Sequence, residues 1–60
     1  MKLEKNNLVM YNGHQMTVIT TYSENNIDYV DLRQGKKKKF FKVPIEKVYF
    51  IAKKQTKYLN

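Results

Sequence analysis

Four turn signals cut this chain into short pieces, and their spacing constrains the fold more than any other feature. Asn12-Gly13, Ser23-Glu24-Asn25-Asn26, Gln34-Gly35-Lys36 and Pro44-Ile45-Glu46-Lys47 recur at intervals of about 8–12 residues, the spacing of all-β sandwiches and barrels. Val, Ile and Thr together number thirteen, and their branched side chains suit a pleated surface better than a helix. Asn12-Gly13 is the strongest of the turns, because both residues tolerate the positive φ that a type I′ hairpin demands.

The pieces read as strands over Leu8–Tyr11, Gln15–Tyr22, Ile27–Arg33, Lys38–Val43 and Val48–Ile51. In the second, alternation places Met16, Val18 and Thr20 on one face and Thr17, Ile19 and Thr21 on the other. In the third, Asp28, Val30 and Leu32 oppose Ile27, Tyr29, Asp31 and Arg33. In the fourth, Lys38, Phe40 and Lys42 are expected outside, with Lys39 at the rim and Phe41 and Val43 inside. Pro44 lacks an N–H for the ladder and ends that strand, leaving room for one 3₁₀ turn before the fifth. The expected core is Val9, Met16, Val18, Val30, Leu32, Phe41, Val43 and Val48.

This order of elements resembles the small SH3-like β-barrels. The residues that carry the resemblance are Val9 and Tyr11 before Asn12-Gly13, Met16-Thr17-Val18, Tyr29-Val30-Asp31-Leu32, and the segment from Phe41 through Pro44 to Val48. The resemblance implies an all-β chain: a five-stranded antiparallel barrel over about residues 7–51, with a 3₁₀ turn before the last strand. Residues 52–60 then form a basic C-terminal tail, as coil or a short helix, within a single domain over residues 1–60. The fold serves many purposes and names none of them. Its nucleic-acid-binding members are similar to this chain in size and charge. The proline-peptide adaptors depart from it, since the chain has no Trp and is basic where they are acidic.

Charge is the second signal. The net charge is +7, yet residues 1–32 sum to −2 and residues 33–60 to +9. Such asymmetry suggests a polyanionic partner. The Lys-, Asn- and Ile-rich usage of an AT-rich genome would also raise the lysine count, but it does not explain why the acids gather in the first half. No apolar run nears the ~20 residues of a membrane span, and the opening residues lack the apolar core of a signal peptide. A cytoplasmic location is therefore expected. With no Cys, neither a disulfide nor a thiolate-bound metal is available.

Arg33, Lys36, Lys37, Lys38, Lys39 and Lys42 fall in one ten-residue stretch and are the candidate phosphate-binding residues. The alternative is a solvated loop that protects an edge strand from pairing. An outward Phe40 between Lys38 and Lys42, extended by Tyr29 and Arg33, would make a base-stacking platform. It could instead cover a satellite core under the tail, against Tyr49, Ile51 or Leu59, or sit in a homodimer interface. Tyr11, Tyr22 and Tyr29 with Asp28 and Asp31 could on paper form a cage for a methylated lysine. His14 stands alone beside a turn and the acids are scattered, so no catalytic set, metal or cofactor is expected. The reading is a nucleic-acid-binding domain, DNA or RNA, contacting mainly the backbone. The alternative is an interaction module, such as a small regulator or inhibitor from a mobile element, docking on an acidic protein.

Overall fold

A computed structural model describes residues 2–53. Five strands, β1 (Leu8–Tyr11), β2 (His14–Glu24), β3 (Ile27–Gln34), β4 (Lys38–Pro44) and β5 (Tyr49–Ala52), form one antiparallel sheet in the order β4-β3-β2-β1-β5. A 3₁₀ turn over Ile45–Lys47 precedes β5, and no helix among the described residues is long and apolar enough to cross a membrane. The fold is all-β, with the expected number and order of strands. The sheet is open, because β4 and β5 form its two edges. The expected tail lies outside the described residues beyond position 53, while Ala52 ends β5.

Each of the first two hairpins turns on a pair of residues at positive φ. Asn12 and Gly13 sit at 55° and 81° between the paired Tyr11 and His14. Asn25 and Asn26 sit at 52° and 67° between the paired Glu24 and Ile27. Such turns match the right-handed twist of the strands they join, and asparagine adopts the left-handed region more readily than most residues.

The core is Leu3, Val9, Met16, Val18, Val30, Leu32, Val43 and Val48, with Tyr11, Phe40 and Ile45 packed against it. Seven of these eight match the expected set. The expected residue that is missing is Phe41, which is 65% exposed. Its place is taken by Phe40, whose ring meets that of Tyr11 edge-on at 5.9 Å.

The cause is a bulge in β4. Leu32 pairs with Phe40 and Val30 with Val43, so Phe41 and Lys42 together stand opposite Asp31 alone. Lys42 absorbs the extra residue at φ 57°, and its backbone N–H donates to the Asp31 carboxylate at 2.9 Å. The Tyr22 hydroxyl donates to the same oxygen at 3.0 Å. Arg33 pairs with Lys39 and Gln34 with Lys38, so Lys39 lies on the outer face and Lys38 on the core side, beyond the rim. This reverses the expected faces of Lys38, Lys39, Phe40 and Phe41.

A second bulge interrupts β2. Val18 pairs with Leu32 and Thr20 with Asp31, leaving Ile19 as the extra residue. Thr21 then stands opposite the buried Val30, and Thr20 shares the outer face with Asp31, the opposite of strict alternation.

The N-terminal arm closes one side of the core. Asn6 N–H donates to the Val18 carbonyl and Val18 N–H to the Asn7 carbonyl, both at 2.9 Å, which extends the β1–β2 ladder. The Asn7 side chain is buried, accepting from Glu4 N–H and donating to the Lys53 carbonyl, each at 2.8 Å. A satisfied buried amide here ties the arm to the end of β5 and holds Leu3 inside.

Candidate nucleic-acid interface

The β3–β4 hairpin concentrates the positive charge. Gly35, at φ 67°, opens its three-residue turn, and Lys36 and Lys37 occupy the tip. Arg33 and Lys39 face one another across the ladder on the outer face. Like charges directly opposite destabilise a sheet, and here no carboxylate lies within ion-pair distance of Arg33, Lys36, Lys37, Lys38 or Lys39 among the described residues. The Arg33 guanidinium instead reaches the Gly35 carbonyl at 3.4 Å. All four hairpin lysines are exposed.

Asp28 sits at the far end of the same strand, while Asp31 shares the outer face two residues from Arg33. Asp28 and Arg33 are five residues apart on β3, a separation of roughly 17 Å in extended chain. Glu24 and Asp28 flank the β2–β3 turn, and Asp28 and Glu46 line a cleft of about 290 Å³ with Asn26, Ile27, Pro44 and Ile45. A neighbouring cleft of about 450 Å³ is lined by Lys2, Leu3, Thr21, Tyr22, Ser23, Asp28 and Ile45. Both concavities belong to the acidic end. Apart from Asp31, whose carboxylate accepts from the Lys42 amide and the Tyr22 hydroxyl, the segregation read along the sequence becomes a separation in space.

Lys42 does not join the hairpin cations. Its ammonium pairs with Glu24 at 3.0 Å and lies 5.4 Å from the centre of the Tyr29 ring. The hydrogen bond and charge of Glu24 hold its pKa above the ordinary 10.5. Desolvation and the bond to Asp31 hold the Tyr22 phenol above its ordinary 10.0. Both groups are engaged in fixing the bulge.

The three tyrosines do not form one cage. Tyr22 and Tyr29 pack together at 5.9 Å with Lys42 over them, whereas Tyr11 packs on Phe40 at the other end of β2. Of the expected site, then, Arg33 and Lys36–Lys39 are brought together, while Phe40 and Lys42 are drawn into packing and pairing. Sequence reasoning missed the outward aromatic, Phe41. The only hint of it is that Phe40 and Val43 are three apart, facing Leu32 and Val30 that are two apart. No protein-family model matches the chain, and neither a curated protein nor a solved structure does.

Proposed function

We propose that this protein is a small SH3-like barrel that binds nucleic acid through its β3–β4 hairpin, as a binding module in the cytoplasm rather than an enzyme. The observation that carries the reading is the in-register opposition of Arg33 and Lys39, continued by Lys36–Lys38, with no carboxylate within ion-pair distance of them among the described residues. A row of phosphates supplies the missing negative charge and releases condensed counterions when it binds. The sheet order, with a 3₁₀ turn before the last strand, supports the barrel reading. Lysine dominates the patch and Arg33 is the only arginine in the chain. Bidentate recognition of guanine is therefore scarce, and binding is mainly to the backbone.

Salt titration tests this. If the five hairpin cations meet about five phosphates, affinity for a duplex falls roughly 500-fold between 50 and 200 mM salt. Replacing Lys36, Lys37 and Lys38 together by Gln flattens the log–log slope by roughly 0.9 for each phosphate no longer neutralised. Lys2→Gln with Lys5→Gln removes charge elsewhere and leaves the slope near that of the parent. Equal weakening by the two sets would show only bulk attraction. No binding at 50 mM salt would transfer the patch to an acidic protein surface.

A further inference from the structure

Resting on the reading of the hairpin as a phosphate-binding element, we propose that Phe41 is a base-stacking platform and that the site takes single-stranded nucleic acid. Phe41 is 65% exposed, on a strand edge, in a chain short of core. Regular alternation would bury it and expel Phe40; the bulge does the reverse, and requires a lysine at positive φ to do so. A bulge re-aims a side chain, and a strained non-glycine residue held by its surroundings often marks a functional position. Here the holding is explicit, because the Asp31 carboxylate accepts from both the Lys42 amide and the Tyr22 hydroxyl.

What the bulge presents is an aromatic ring beside cations. Two residues along the strand from Lys39, Phe41 shares the outer face on which Lys39 opposes Arg33. The other close aromatic pairs, Tyr11–Phe40 and Tyr22–Tyr29, are formed within the fold, while Phe41 has no ring partner among the described residues. A nucleotide offers the matching pair of groups, an anionic phosphate for the Arg33–Lys39 end and a flat base for the ring. Duplex bases are already stacked on one another, so only an unpaired base can lie on Phe41. Asp31, directly across from Phe41 on β3, and Glu24, paired with Lys42, keep a phosphate backbone at the Arg33–Lys39 end of the site. The strand therefore passes over the hairpin end and leaves one base on the ring.

The test uses the full chain, with a fluorescein-labelled dT12 strand and a 12-base-pair duplex as probes at 50 mM salt. Phe41→Ala should bind dT12 about 5- to 150-fold more weakly, the loss expected for one stacked base, with duplex affinity and salt slope unchanged. Phe41→Tyr should restore dT12 binding, and Phe41→Leu, apolar but without a π-face, should not. The chain has no tryptophan, so Phe41→Trp supplies a single indole whose emission dT12 should quench to saturation. If Phe41→Ala binds dT12 as the parent does, with the same steep salt dependence, the platform is wrong and the phosphate reading stands. If neither probe binds the parent, both fall. A parental dimer that Phe41→Ala converts to monomer in sedimentation would assign the ring to a second copy and overturn the proposal.

Discussion

The bulge at Phe41–Lys42 makes a quantitative claim: adjacent phenylalanines should differ sharply in what they contribute to stability. Phe40 is mostly covered, packed on the core and edge-on to Tyr11. Taking about 150 Å² buried, the low end for an aromatic side chain, at about 25 cal/mol per Å² gives ~4 kcal/mol. An extended reference chain overstates burial by roughly 10–40%, and the edge-on ring pair returns roughly 0.5–1.5 kcal/mol. Phe40→Ala should therefore cost about 3–4 kcal/mol. With 65% of its surface open, Phe41 hides only about a third of it, so Phe41→Ala should cost about 1 kcal/mol. Urea unfolding followed by circular dichroism reads the difference. At a slope near ~1 kcal/mol/M for so small a domain, the midpoints drop by about 3 M and about 1 M. Because the first loss approaches the whole stability of a domain near ~5 kcal/mol, both series should contain a stabilising osmolyte. A larger drop for Phe41→Ala than for Phe40→Ala would mean that β4 is unbulged, and the outward platform would fall with it.

Lys42→Gly should unfold at the same urea concentration as the parent or higher, while Lys42→Val unfolds lower, because glycine takes φ 57° without steric cost and a β-branched residue does not; equal midpoints for the two variants would refute the left-handed assignment. Asn7→Ala should lose about 2–3 kcal/mol in chemical denaturation, since the Glu4 amide and the Lys53 carbonyl both lose their partner, and a neutral result would detach the arm from the fold. Tyr22 and Lys42 both hold their protons more tightly when folded, so their stabilisation is present below pH 10 and is lost as pH rises through their raised values. The stability gap between the parent and Tyr22→Phe should accordingly shrink from pH 8 to pH 11; a constant gap would show that the Tyr22–Asp31 bond contributes nothing.

Much of this protein follows from local chemistry that a sequence displays directly. Asn12-Gly13 forms a hairpin because its two residues accept positive φ, and Pro44 ends β4 because it has no amide to give. Val9, Met16, Val18, Val30 and Leu32 are core because alternation on three strands points them the same way. The lysine run at the hairpin tip needs no fold to be seen. The two bulges belong to another level. A choice between Phe40 and Phe41 is nearly neutral within β4, where either ring is followed by Val43 at a spacing some strand can accept. It is settled by β3, whose Leu32 and Val30 require apolar partners and whose Asp31 offers an acceptor for the amide that the extra residue frees. Likewise Asn7 is an ordinary polar residue in the sequence and becomes a buried tie only because Glu4 and Lys53 converge on it. Turn preference and alternation are properties of neighbours along the chain, so the sequence alone determines them. Register and the partners of buried polar groups depend on residues brought together from different strands, so only the tertiary structure decides which aromatic faces solvent beside the hairpin cations.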